Sequence, residues 1–309
     1  VIFTNLHHHS TFSFGDGFGT PAQHVERAVE LGYTAIAMTE HGNVSSHWQL
    51  EKTAIAAGIK PIFGLEAYCG PVDKEARGHF KHHLTLLAQD TAGYRSLSRI
   101  VTQSYLDYYF NPTVSGTSLF NNREGLFVLS GCSGSMLACA LLGGKGTPEH
   151  IDKPDFRYAS EVIGRFIRIF GADNYYLEVQ PFYELDRTIA MNTAYEELAE
   201  AHGIGIVVTH DVHYPKMEDA EMQAVLHAVH RGKHTVEDQL REWNYQVPLT
   251  LPASDNDLFF RLRKTGLSRQ ACIDAINNSA DIAARCNVTL PKAERLRYPI
   301  SDKDMEPWT

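Results

Sequence analysis

The chain has 309 residues, 43% of them hydrophobic and 21% charged, a composition that can bury a sizeable core and argues against a disordered tail. Lys and Arg number 28 against 37 Asp and Glu, and the formal net charge of −9 excludes a freestanding basic nucleic-acid binder. The five cysteines are scattered without a C-x-x-C, which excludes a disulfide framework or a zinc ribbon and fits a reducing, cytoplasmic setting. No apolar run approaches the ~18 residues of a membrane span, and Val1 to Leu6 lacks the regions of a signal peptide.

In chain order, Ile2 to Leu6 reads as a strand that runs into His7, His8, His9 and Ser10, with Asp16 beyond. Pro21 to Leu31 is an amphipathic helix closed by Gly32, and Tyr33 to Met38 is an apolar strand that ends in Thr39, Glu40, His41 and Gly42. A second helix, Ser45 to Ala57 with Gly58, precedes the run Ile62 to Leu65, which ends on Glu66. Gly70 to Lys81 is too short and too polar for a crossover helix, so regularity breaks before Leu84 to Leu87, a run that starts from His82 and His83. Leu126 to Leu129 leads to Cys132, and Tyr175 to Val179 is a further strand. Leu185 to His202, with Gly203, is a helix feeding Ile204 to Val208, which opens on Thr209, His210, Asp211, Val212 and His213. Beyond Ser268 the pattern is helical and local (Arg269 to Cys286), ending in Leu290, Pro291 and a polar tail. Seven strands separated mostly by helices predict an α/β fold, a distorted (β/α)7 barrel with a short helical C-terminal extension, in preference to an open doubly wound sheet.

In such a barrel the strand ends converge on one face. Nine ionisable residues then share a mouth, provided His83 lies at that end: His7, His9, Asp16, His41, Glu66, His83, Cys132, Asp211 and His213. Imidazole, carboxylate and thiolate together suit zinc, manganese or iron, whereas calcium and magnesium prefer all-oxygen shells. The H-x-H and D-x-H spacings place paired side chains on one face of an extended segment. One ion takes about four protein ligands, so nine residues with a shared carboxylate could hold two or three divalent ions. Clustered ions activate water and clamp the oxygens of an in-line phosphoryl displacement, which makes phosphoester hydrolysis the expected reaction.

These same stretches carry a family resemblance. Leu6 to Gly17, Met38 to Asn43, Gly64 to Tyr68, His82 to Ala88, Leu129 to Cys132 and Thr209 to Tyr214 occur in the order seen in the polymerase and histidinol phosphatase (PHP) domain. The chain resembles the form of that domain found at the N-terminus of bacterial replicative DNA polymerase III alpha subunits, over about residues 1–297, with 298–309 as a linker stub towards a polymerase region. The resemblance implies three ions: one on His7, His9, Glu66 and Asp211, one on Glu66, His83 and Cys132, and one on Asp16, His41 and His213. It assigns the metal-activated water to His7, His9, Glu66 and Asp211. An intact set implies 3′–5′ exonuclease proofreading, with a DNA 3′ end as substrate and polymerase core domains and replisome subunits as partners. Two other readings stay open: a phosphomonoesterase of a small substrate such as histidinol phosphate, and a non-catalytic, metal-stiffened scaffold of a polymerase. The palm carboxylates of a polymerase are absent, so this chain alone is not expected to polymerise DNA. Gly15, Glu40 and His210 stand where leucine, aspartate and asparagine are common, and none of these changes removes a ligand. The family's basic patch after Tyr109 and Phe110 is reduced to Asn111, Pro112 and Thr113.

The remaining histidines and cysteines have plainer readings. His8 points away from the mouth and is structural, and His82 and His79 fall in the support of the site or on the surface. His210 either orients a ligand or is a satisfied structural histidine. His227, His230 and His234, spaced by three and four, read as a solvated helix face. Cys69, Cys139, Cys272 and Cys286 read as core. Arg261 to Arg297 holds eight basic and three acidic residues, a stretch that could meet DNA backbone or a neighbouring domain, or simply be solvated. Three divalent ions would take the formal −9 to −3, and their +6 set against the −4 of Asp16, Glu66, Asp211 and a Cys132 thiolate would turn a mouth that is anionic when empty into a cationic one when loaded.

Overall fold

A computed structural model describes residues 2–76, 78, 80–144, 148–232, 235–242 and 245–291. The linker-stub segment 298–309, His79, His234 and the basic residues Lys292, Arg295 and Arg297 lie outside the described residues. The described chain forms six strands in one sheet, in sequence order: β1 (Ala35–Met38), β2 (Lys60–Cys69), β3 (His82–Ala88), β4 (Leu126–Leu129), β5 (Tyr175–Val179) and β6 (Gly205–Val208). Helix α1 (Pro21–Glu30) precedes β1; α2 (His47–Ala56), α3 (Thr91–Leu106), α4 (Gly116–Asn121), α5 (Met136–Leu142), α6 (Phe156–Phe170) and α7 (Asp186–His202) lie between strands, and α8 (Ala220–His230), α9 (Val236–Glu242), α10 (Asp255–Lys264) and α11 (Arg269–Arg285) follow the last one. Local chemistry sets these limits. Thr20 and Gln23 form a capping box behind Pro21 at the start of α1, and Gly203 at φ 63° closes α7 in the left-handed region.

Two features depart from a regular seven-stranded barrel. The sheet is mixed, because β2–β3 and β3–β4 are antiparallel while β1–β2, β4–β5 and β5–β6 are parallel. The cause is the short polar connection 70–81: without a crossover helix the chain must turn straight back, and an antiparallel pair is the only pairing that allows this. Residues 2–6 are also not a strand. The N-terminal segment instead forms a narrow seam, in which the His9 N–H donates to Val212 O at 2.7 Å, the Val212 N–H to His7 O at 3.2 Å and the Thr39 N–H to His8 O at 2.9 Å. One extended stretch thus joins the ends of β1 and β6 by single contacts.

Strand alternation divides the inner face into two levels. Ala37, Ile62, Leu87, Phe127, Leu129, Tyr176 and Val207 form an apolar floor with Leu6, into which α11 inserts Ile282, Ala283 and Cys286. Lys60 Nζ caps the α11 carbonyls of Ala283 and Ala284 at 2.8 and 3.1 Å, and the Arg285 guanidinium lies over the Phe127 ring at 4.4 Å. Moving along the same strands by twos, the inner positions become Glu66, Thr85, His83 and Glu178. The outward parity (Ile36, Met38, Phe63, Leu65, Leu86, Val128, Tyr175, Leu177, Val208) packs in the larger core beneath the helices. The floor therefore positions the polar mouth.

Candidate metal centre

All nine expected residues meet at this mouth. His7 and His9 arrive on the seam, Asp16 and His41 on the loops that follow it and β1, Glu66 inside β2, Cys132 after β4, and Asp211 and His213 after β6. His83 reaches the same end because β3 runs antiparallel, so that its first residues, and not its last, lie there.

Glu66 is the hub. Oε1 lies 3.2 Å from His7 Nε2 and 2.8 Å from His83 Nδ1, while Oε2 lies 3.5 Å from His9 Nε2 and 2.5 Å from His41 Nδ1. Asp211 Oδ1 stands 3.4 Å from His7 Nε2, 3.5 Å from His9 Nε2 and 3.6 Å from His213 Nδ1. Cys132 Sγ is 3.4 Å from His83 Nδ1 and 3.8 Å from Glu66 Oε1. Asp16 Oδ2 faces His41 Nε2 at 2.9 Å and His213 Nε2 at 3.4 Å. Three sets of donors lie within one another's reach: His7, His9 and Asp211; Glu66, His83 and Cys132; and His9, His41 and His213.

The donor atoms fit divalent ions. His7 Nε2, His9 Nε2, His41 Nδ1, Glu66 Oε2 and Asp211 Oδ1 are buried and make no hydrogen bond, although imidazole and carboxylate atoms of the set approach one another to 2.5–3.5 Å. A buried polar atom without a hydrogen bond costs about 1–3 kcal/mol, and five such atoms in one cluster fit ions held between them. The electrostatics agree. Burial alone would lower His7, yet Asp211, Glu178 and Glu66 hold its pKa well above the usual range. Burial and the neighbouring His41 and His213 press His9 down to about 3. Against the cost of burial, His83, His41 and His7 hold Glu66 well below the carboxylate range. Burial, then Glu66 and Asp211, push the Cys132 thiol well up, so a thiolate there requires a cation beside it.

Behind these donors stands a layer that sequence reading missed in part. His7 Nδ1 lies 2.6 Å from Glu178 Oε1, a buried carboxylate that also accepts from Thr209 Oγ1 at 2.6 Å and Thr85 Oγ1 at 3.1 Å. A carboxylate that takes the far nitrogen of a ligating imidazole fixes its tautomer and leaves Nε2 as the donor atom. His9 Nδ1 meets Ser13 Oγ at 2.8 Å, and Ser13 donates to buried Glu40 at 2.6 Å, which also takes the Ser10 hydroxyl at 2.5 Å. Tyr68 stacks on His41 with ring centroids 5.6 Å apart. Glu178 had a signal in the sequence, an ionisable residue two positions from Tyr176 within an otherwise apolar run.

Two expectations require correction. Asp211 has φ 46°, so the D-x-H pair is brought together by a left-handed kink and not by extended alternation; aspartate is among the few side chains that tolerate this region. His227 is not part of a solvated face: it is 8% exposed and its Nε2 bonds Asp16 Oδ1, whereas His230, on the same helix, is exposed. Tyr245 was not anticipated, and its hydroxyl donates to Asp16 Oδ1 at 2.8 Å. His8 is buried and paired with His24 at 2.7 Å, away from the donor cluster, and His210 is buried against Phe182 with a pKa lowered to about 3, chiefly by burial.

A family model for the PHP domain matches residues 5–181, more than half of the chain. This chain belongs to the PHP domain family. The matched span contains seven of the nine donors, and Asp211 and His213 lie beyond it. The DNA polymerase III alpha subunit of Treponema pallidum (strain Nichols) is 32% identical over 299 residues, 94% of this chain and 24% of that protein. That of Thermus aquaticus is 30% identical over 309 residues, 96% of this chain and 24% of that protein. This PHP chain spans about a quarter of the length of the curated relatives it matches. Among solved structures, histidinol phosphate phosphatase from Lactococcus lactis, complexed with zinc, L-histidinol and phosphate, is similar at a TM-score of 0.37 and 16% identity, over 75% of this chain and 94% of that one. Among the described residues no helix is long and apolar enough to cross a membrane.

Proposed function

We propose that the chain is a metal-dependent phosphoesterase domain whose substrate is a DNA 3′ end, acting as the 3′–5′ exonuclease of a replicative polymerase alpha subunit. The observation that carries the reading is the cluster of five buried donor atoms without hydrogen bonds, drawn from His7, His9, His41, Glu66 and Asp211. The nine donors His7, His9, Asp16, His41, Glu66, His83, Cys132, Asp211 and His213 are the proposed ligands of two or three zinc, manganese or iron ions. Ions held there supply activated water and neutralise charge on the phosphoryl oxygens.

The protein's part is to place and tune. Glu66 presents its two oxygens to different imidazoles, Oε1 to His7 and His83 and Oε2 to His9 and His41, so this one carboxylate would serve more than one ion of the proposed set. Glu178 and the Ser13–Glu40 pair lock the ring orientations of His7 and His9, so little rearrangement is left for the reaction. The likeness to alpha subunits along 94–96% of the chain supports a polymerase setting, with polymerase core domains and other replisome subunits as partners in the cytoplasm.

The test is shortening of 3′-mispaired and single-stranded DNA by metal-loaded protein, with histidinol phosphate as competing substrate. Release of 3′ nucleotides, abolished in His9→Ala and Asp211→Ala with folding retained, is the expected result. Intact DNA beside turnover of histidinol phosphate would replace it with the small-molecule phosphatase reading, and stoichiometric metal with no hydrolysis at all would make the domain a scaffold.

A further inference from the structure

One of the proposed ligands is gripped from outside the set. Asp16 divides its carboxylate: Oδ2 faces His41 and His213, while Oδ1 receives His227 Nε2 and the Tyr245 hydroxyl, the latter at 2.8 Å. The backbone is held as well, since Gln223 Nε2 donates to Asp16 O at 3.1 Å. Gln223 and His227 are four residues apart, so a single face of α8 meets both ends of Asp16. Tyr245 comes from the segment after α9, and its hydroxyl also lies 3.4 Å from His213 Nε2. By contrast, His7 and His9 are supported from inside the barrel and the loop against it, by Glu178 and Ser13.

A carboxylate has a free swing about its terminal torsion, and Asp16 sits on a loop, not on a strand. Two donors on Oδ1 hold the plane of the group, so that Oδ2 keeps its aim at the point shared with His41 and His213. We propose that His227 and Tyr245 are positioning residues for Asp16, through which the region after β6 controls binding of the ion held by Asp16, His41 and His213 and of no other. The inference rests on the metal-centre reading above. Because linkage is reciprocal, an ion at that position also tightens α8 against the mouth.

The test is calorimetric titration of chelator-stripped protein with Mn²⁺ and with Zn²⁺, read beside hydrogen exchange of α8. Asp16→Asn identifies the equivalent in question, and Val229→Ala, at an exposed position of α8, is the control for helix stability. His227→Gln and Tyr245→Phe are expected to weaken that equivalent about 10–100-fold and leave the others unchanged. Metal should slow exchange in α8 of the wild type and Val229→Ala, and fail to do so in Tyr245→Phe. Unchanged binding of every equivalent in both variants, or an equal loss across all of them, overturns the inference. A wild type that takes up no metal fails the metal-centre reading itself, a separate outcome.

Discussion

His7 gives one ring nitrogen to Glu178, 2.6 Å from Nδ1 to Oε1, and keeps the other, Nε2, turned towards Glu66 and Asp211. Glu178 is fully buried, and its other partners are the hydroxyls of Thr85 and Thr209. Glu178→Gln keeps the shape but removes the charge that fixes the tautomer and raises the basicity of His7. Metal affinity should fall about 10–100-fold with the fold intact. Titration with Zn²⁺ alongside circular dichroism checks this, and wild-type affinity in the variant would show that Glu178 is structural only.

Removal of metal should destabilise the domain. Asp16, Glu66 and Asp211 crowd one mouth that also holds five buried atoms without hydrogen bonds, and on the proposed reading ions would bind this arrangement only when it is folded. At 100-fold excess over Kd one ion adds about 2.7 kcal/mol. Thermal unfolding with Mn²⁺ or Zn²⁺ and then with a chelator should show a lower Tm in the chelated sample; equal midpoints would count against ion binding by the native state.

Gly131 precedes Cys132 at φ 88°, and a Cβ there would stand 2.6 Å from the His83 carbonyl oxygen. Gly131→Ala therefore forces apart the two strand ends that bring Cys132 and His83 together. A loss of about 1–3 kcal/mol is expected from the overpacking, with weaker binding of the ion held by Glu66, His83 and Cys132. Denaturant unfolding and elemental analysis of the purified variant decide it, and an unaltered metal content would remove the link to the site.

Acid stability should reflect a histidine outside the donor set. Burial holds the pKa of His47 down to about 4, with Nε2–H donated to Gly64 O at 2.9 Å. Between pH 4 and about 6.5 the unfolded chain binds the extra proton, so stability is complete above 6.5 and declines as pH falls towards 4. His47→Gln should flatten the curve by up to about 3 kcal/mol, the worth of that shift. Urea midpoints at pH 7 and pH 4.5 measure it; an unchanged difference would mean that His47 is not the group responsible.

Most donors were legible because they stand at or just beyond the end of an apolar run, and the fold makes those places neighbours. The β3 reversal was half legible: the missing crossover helix is plain in Gly70 to Lys81, but its result, that His83 rather than a residue at the far end of β3 reaches the mouth, depends on strand direction. His227 was misread because helical spacing says which residues share a face and nothing about what that face meets. The Asp211 kink and the Tyr245 contact belong to tertiary packing and leave no periodic trace. Glu178 left a signal, an ionisable residue within the apolar run of β5, but nothing in the sequence says that its carboxylate meets the far nitrogen of His7.

The seam made by residues 7–9 imposes an order on assembly. Those residues are made before their partner Val212, which follows about 200 residues later, and at ~5–20 residues per second that is a wait of about 10 to 40 s. Until then His7 and His9 cannot take their final places, however early the strands between them have paired. In a nascent chain the donor cluster therefore cannot assemble before the segment that follows β6 has been made.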